Sequence, residues 1–386
     1  MDNLTHSLVG LTAAKAGLEK LSPGATTLCI LAASSPDVDL VVLLSRGRWA
    51  FLQYHRGITH SLVGAAVLAL ALPLLFYFGD RIAARIRNRE PQVRLKGLVV
   101  ASILVTATHP LLDWTNNYGM RFLLPWNPKW SYGDFAFVID PFFWIVLGGS
   151  AFLLTSETRT KVITWIAVAA VPTYLVLRGA GEQGENVSQT VLRILWIGAL
   201  IVLVILYRQS FGQRVGAKVA IAALVIVTIY CAGLAAAHSV ALGRAKLMAA
   251  NMASGRAERV INVAAMPTIA NPVGWVCVFE TDRATYKFNL SLVGASTPPA
   301  NAGVIRYEKP TGAVADAVAV AMRDSRAVVF LGFARFPVFK VTSADCATQT
   351  LVQFADLRYT EPGRQRGGTF SLDLPIACPA TALQNR

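Results

Sequence analysis

The stretch "ITHSLVGAAVLALALPLLFYFG", residues 58–79, decides the fold. From Ser61 to Gly79 it runs 19 residues without a charge, enough to cross a hydrocarbon core of about 30 Å. "LRILWIGALIVLVILY" (192–207) and "VAIAALVIVTIYCAGLAAAH" (219–238) follow the same pattern. The whole chain of 386 residues is 54% hydrophobic and 15% charged, whereas soluble chains carry about a quarter charged residues. These features predict a mainly α, polytopic helical membrane domain. About eight apolar helices are read, at roughly 4–20, 24–45, 60–79, 97–114, 140–155, 162–178, 192–207 and 219–238. After residue 240 the character changes. Short β-like runs such as "GWVCVFET", "TYKFNLSLV" and "TFSLDLPI" alternate with Gly, Pro, Asn and Asp. The expected division is therefore 1–240, membrane domain, and 241–386, a soluble α+β or β-rich domain.

Charge sets an expected orientation. Much of the net charge of +14 lies in "RIAARIRNREPQVRLK", residues 81–96. Between two apolar spans such a cluster marks the cytoplasmic side rather than a nucleic-acid surface, so no nucleic-acid partner is expected. Alternating the spans from that point places both termini, with residues 241–386, outside the cytoplasmic (inner) membrane. The acidic "GAGEQGEN" (179–186) falls outside as well. No cleavable signal peptide is read, because "MDNLTH" lacks a basic start. Cys29 and Cys231 read as small apolar side chains. Cys277, Cys346 and Cys378 lie in the exported part, and Cys346–Cys378 is the expected disulfide.

The stretch at 58–79 also begins with a repeated phrase: "LTHSLVG" at 4–10 returns as "ITHSLVG" at 58–64. With Thr5 and Thr59 as helix N-caps, His6 and His60 fall in first turns, where the helix dipole keeps imidazole neutral. Neutral imidazole is the form that binds metal. Gly10 and Gly64, four residues on, suit close helix packing. Further polar residues fall at the same membrane level: Asp37 and Asp39 in "SSPDVDL", His55 in "HRGITH", His109 and Asp113 in "HPLLDW", then Asp134 and Asp140. A buried carboxylate costs several kcal/mol unless paired or bound to a cation. His238 stands apart and reads as an interfacial residue. Trp114, Trp126, Trp130 and Tyr132 read as an interfacial belt.

Mixed imidazole and carboxylate donors suit zinc, manganese or iron. The candidate metal ligands are His6, Asp37, Asp39, His60, His109 and Asp113. They suit one divalent ion with supporting groups, or two bridged by an aspartate. His55 reads as a further ligand or as a general base, and Asp39 as a bridging or positioning carboxylate. Two close metals activate water and clamp an in-line displacement. Arg46, Arg48 and Arg56 then read as partners for a substrate phosphate.

"MDNLTH", "SSPDVD", "HRGITHS" and "HPLLDW", in this order over residues 1–115, resemble the YdjM-like inner-membrane proteins, described as predicted metal-dependent hydrolases. The resemblance implies a helical membrane domain with metal-binding His and Asp at those motifs. That family is distantly similar to zinc-dependent phospholipase C and P1-type nuclease enzymes, whose His-x-x-x-Asp ligand pair corresponds to His109 and Asp113. Those enzymes use late histidines and glutamates, and His238 is the one histidine after His109. They also use the N-terminal residue as a zinc ligand, for which "MDNL" gives no sign. One or two ions, zinc first, is the implied set.

The expectation is a membrane hydrolase that cleaves a phosphoester, such as a lipid head group, through metal-activated water at the outer face. The rival is a non-catalytic scaffold or stress protein. In it a structural metal would staple the helices while the exported domain binds a protein partner. A transporter fits less well, since the ionisable residues gather at one face and no inverted repeat is clear.

Overall fold

The computed structural model describes residues 1–178, 187–293, 303–342, 350–363 and 370–377. The helices are α1 Asn3–Lys15, α2 Ala25–Ser34, α3 Val41–Tyr54, α4 Leu62–Ile86, α5 Leu95–Trp114, α6 Pro141–Phe143, α7 Gly149–Thr155, α8 Arg159–Arg178, α9 Val187–Arg208, α10 Phe211–Val215, α11 Ala217–Ser254, α12 Gly312–Ala321 and α13 Ser325–Phe333. A π-turn, Trp144–Gly148, joins α6 to α7. The strands are β1 Val260–Thr268, β2 Asn271–Thr281, β3 Ala284–Ser291, β4 Ile305–Glu308, β5 Pro337–Thr342, β6 Thr350–Asp356 and β7 Ser371–Ile376.

The chain divides into two compact units. The first is Met1–Val38, Arg56–Ala236 and Pro267–Pro272; the second is Asp39–His55, Ala237–Met266 and Val273–Arg386. Among the described residues, six helical stretches are long and apolar enough to cross a membrane: Ala25–Tyr54, Leu62–Ile86, Leu95–Trp114, Arg159–Arg178, Gln189–Arg208 and Ala217–Ser254. That is two fewer than the eight apolar segments in the sequence. The first segment becomes α1, whose 13 residues reach only about 20 Å. The fifth becomes the short run Pro141–Thr155.

In the first unit α1 is enclosed rather than lipid-facing. One side packs into a core of Ala14, Leu28, Cys29, Ala32, Leu98, Ala101 and Val105, which belongs to α1, α2 and α5. The other side meets Phe143, Trp144, Leu147, Val176, Trp196 and Val227. Gly10 permits the first contact, since a Cβ there would run into the Cys29 carbonyl oxygen. The second copy of the phrase packs differently. A Cβ on Gly64 would strike the carbonyl of Ile58, in the turn just before its own helix.

The caps also differ from expectation. Asp2 caps α1 by accepting from the Thr5 amide at 3.0 Å. Ser61 caps α4 by accepting from the Gly64 amide at 3.1 Å. Thr5 lies inside the first helix, and Thr59 lies in a 3₁₀ turn, Ile58–His60, ahead of the second. Asp and Ser outrank Thr at this position, and each sits where the chain enters its helix from an extended conformation.

The second unit is α+β. One sheet has the order β1-β2-β3-β4 and the other β5-β6-β7. In the first, Phe279 lies opposite Tyr286 with rings stacked 4.4 Å apart. Ala241, Ala245 and Ala249 of α11 share a core with Trp275, Cys277 and Phe288 of that sheet. His238 lies beside the Trp275 ring, 5.6 Å away. Glu258 accepts from Thr281, Tyr286 and Arg306 at 2.7, 2.9 and 2.8 Å. In the second sheet Phe339 lies opposite Phe354, and α13 packs against α3. Cys29, Cys231 and Cys277 are free thiols. Cys346, Cys378 and the segment 179–186 lie outside the described residues.

Candidate metal centre

Four segments of the first unit bring polar side chains together. Pro36 follows the end of α2, and the next turn, Ser35–Leu40, is 3₁₀ and carries Asp37. The 3₁₀ turn Ile58–His60 carries His60. The last turns of α5 carry His109 and Asp113 at i and i+4, which places them on one face. His6 comes from the start of α1.

Asp37, His60, His109 and Asp113 are all buried, and each offers a ligand atom within 4.8 Å of the others. His60 Nε2 is 3.2 Å from Asp37 Oδ1 and 3.5 Å from Asp113 Oδ2. His109 Nε2 is 3.6 Å from Asp37 Oδ1 and 3.5 Å from Asp113 Oδ2. A tetrahedral zinc with ligands at 2.0–2.1 Å has edges between ligand atoms of about 3.3–3.4 Å. The four measured edges bracket that value.

The donor chemistry fits as well. His109 Nδ1 donates to the Ala33 carbonyl oxygen at 2.5 Å, so the lone pair of Nε2 faces the cluster. Among the described residues, His109 Nε2 and Asp37 Oδ2 are buried with no hydrogen-bond partner. Buried polar atoms of this kind normally have an ion or an ordered water as partner, and the residues present fit a divalent metal.

The two oxygens of Asp113 have different surroundings. Oδ2 faces the two histidines. Oδ1 accepts from Arg56 Nη2 at 2.9 Å and from the Met1 amine, and it lies 3.3 Å from His6 Nε2. Arg56 is only 3% exposed. Its other nitrogen donates to the Asp113 carbonyl, Asn116 Oδ1 and the Gly119 carbonyl at 3.1, 2.9 and 3.3 Å. His6 lies flat on His109, with ring centroids 3.7 Å apart.

The remaining sequence-predicted residues are placed as follows. In the second unit Asp39 Oδ1 and His55 Nδ1 pair at 3.1 Å, and the His55 ring stacks on Phe51 at 4.4 Å. Arg46 and Arg48 are exposed on α3, with the Arg48 guanidinium 4.4 Å over the Trp49 ring. In the first unit Asp134 is buried. Asp140 accepts from the Phe142 amide at 2.9 Å and the Tyr230 hydroxyl at 2.8 Å, which is a structural role. Trp114 donates to Ser131 at 3.1 Å, and Trp130 carries the Arg121 guanidinium at 4.6 Å and stacks with Tyr132 at 6.5 Å. Trp126 stays 76% exposed.

The sequence reading missed the Ala33 carbonyl, the Met1 amine and Asn116. Backbone groups and termini leave no signal in a motif. Asn116 directly follows "HPLLDWT" and was within reach of the same reasoning.

The uncharacterized protein YfhP of Bacillus subtilis (strain 168) is 27% identical over 155 residues, 38% of this chain and 43% of that protein. The chain thus spans less than half of the length of that relative. No solved structure matches significantly. Residues 1–184, which carry the whole His/Asp cluster, match the family model of the YdjM inner membrane protein.

Proposed function

We propose that the protein is an integral membrane metal-dependent hydrolase acting on a phosphoester, lipid-linked in the first instance, at the outer face of the cytoplasmic membrane. The observation that carries the reading is the buried ring of Asp37, His60, His109 and Asp113, with edges of 3.2–3.6 Å. These four residues would hold the ion, with His6 against His109 and Asp113. Zinc or manganese bound there supplies Lewis acidity and lowers the pKa of water. The protein's share is orientation and proton handling. Ala33 fixes the His109 ring, and Asp37 Oδ2, which has no hydrogen-bond partner among the described residues, is placed to accept a proton. With the arginine-rich 81–96 segment inside by the positive-inside bias, the end of α5 that carries His109 and Asp113 falls on the outer side.

One observation favours the non-catalytic alternative. Four buried protein donors describe a closed coordination sphere, the mark of a structural metal. Turnover decides. Detergent-purified protein is given bis-(p-nitrophenyl) phosphate and a phosphocholine ester, with zinc or manganese. Nitrophenolate release that a chelator and His60→Ala both abolish supports the hydrolase. Bound metal with no turnover of either substrate refutes it and leaves the staple.

A further inference from the structure

We infer that Arg56 is a positioning residue that decides which oxygen of Asp113 is offered to the metal. The inference rests on the metal reading above and departs from the sequence expectation of a phosphate-binding arginine. Asp113 sits in the last turn of α5, buried at 1% exposure. Unrestrained, a carboxylate can chelate a metal through both oxygens. Arg56, with the Met1 amine on the same oxygen, removes that option by holding Oδ1 at 2.9 Å, which leaves Oδ2 for the ion.

The fork is itself over-determined. One guanidinium nitrogen serves Asp113 Oδ1, and the other serves three neutral oxygens, from Asp113, Asn116 and Gly119. The Tyr118 ring lies 4.6 Å from the guanidinium carbon. The backbone supports the same reading. Arg56 has φ 51°, a left-handed conformation uncommon for a long side chain, so the turn is set to deliver this side chain inwards. An ammonium group keeps the charge but lacks the planar fork that reaches separated acceptors.

The test uses cobalt(II) in the full chain in detergent, because four-coordinate cobalt absorbs visible light far more strongly than five- or six-coordinate cobalt. Arg56→Gly suits the left-handed backbone and leaves a guanidinium-sized space. It is expected to weaken cobalt binding about 10- to 100-fold and to dim the visible band as Asp113 turns to chelate. Millimolar guanidinium is expected to restore both, while Arg56→Lys behaves like Arg56→Gly. A purely structural arginine would instead lower stability and leave the spectrum of the folded fraction unchanged.

If Arg56→Gly does not fold, Asn116→Ala carries the test, since it removes one acceptor of the fork without touching Asp113. It is then expected to weaken binding in the same direction. Parental affinity and spectrum in the folded variants overturn the role of Arg56 alone. A parent chain that takes up no cobalt overturns the metal reading and this inference together.

Discussion

Replacing Asp113 with alanine and replacing Asp37 with alanine delete the same group from the same cluster, yet the metal-free protein is expected to respond in opposite directions. The Asp113 carboxylate is 1% exposed and neutralises a guanidinium that is itself 3% exposed. Without it Arg56 loses its Asp113 partner, and breaking such a buried pair costs about 3–5 kcal/mol. Among the described residues Asp37 has no arginine, lysine or amine partner. Its contacts are His60 and His109, and its Oδ2 has no hydrogen-bond partner among the described residues. Its deletion loses one hydrogen bond, worth about 1 kcal/mol, and relieves a desolvation cost of about 1–3 kcal/mol. Metal-free Asp37→Ala should therefore be as stable as the parent or slightly more so. The two variants should differ by at least about 3 kcal/mol, a gap on the order of 10 °C in unfolding midpoint for a unit of this size. Circular dichroism melts in one detergent, with chelator present, read that gap. With zinc restored at a thousand times its Kd, the parent gains about 4 kcal/mol and both variants lose that gain. Equal destabilisation of the two metal-free variants would refute the assignment of Arg56 to Asp113 and of Asp37 to the ion.

Gly10→Ala should destabilise the protein by about 1–3 kcal/mol, because its Cβ meets the backbone oxygen of Cys29 rather than a movable side chain; thermal melts check this. In the C-terminal unit, burial opposes ionisation of Glu258, but the hydrogen bonds from Thr281, Arg306 and Tyr286 outweigh it and hold its carboxyl below the ordinary glutamate range. A depressed folded-state pKa contributes stability above the ordinary glutamate value, and that stability is lost as pH falls through the folded value. Denaturant midpoints should accordingly fall less steeply with acid in Glu258→Gln than in the parent. Burial pushes the Cys277 thiol up to about 12, so an alkylating reagent should leave its peptide unmodified in the native chain and label it after denaturation, as read by peptide mass mapping.

Much of the candidate centre was legible because histidine and aspartate stand out within apolar runs. His6, Asp37, His60, His109 and Asp113 all come together in the first unit. What the letters concealed was how the repeated phrase folds. One copy is wholly inside α1, whereas the other begins in a 3₁₀ turn, so identical residues present their histidines from different backbones. Hydropathy also overcounted spans, since α1 is apolar on account of enclosure by its neighbours, not lipid. Nor did α3 announce its place in the second unit, packed on α13 nearly three hundred residues later. Such pairings depend on surface shape, which no local motif records. Arg56 was noticed but given to a phosphate, although a buried aspartate in an apolar bundle calls for a cation of its own.

The alanines at 241, 245 and 249 of α11 have a consequence for how this domain can change over generations. Four residues turn a helix by about 400°, so each successive alanine lies about 40° further round, and the row follows the right-handed twist of the strands it shares a core with. Loss or gain of one residue in this stretch would swing everything beyond it by about 100° and turn bulky neighbours onto the sheet. A change of a whole turn would nearly restore the row. Lineages of this domain should therefore show α11 varying in length by three or four residues here, and seldom by one or two.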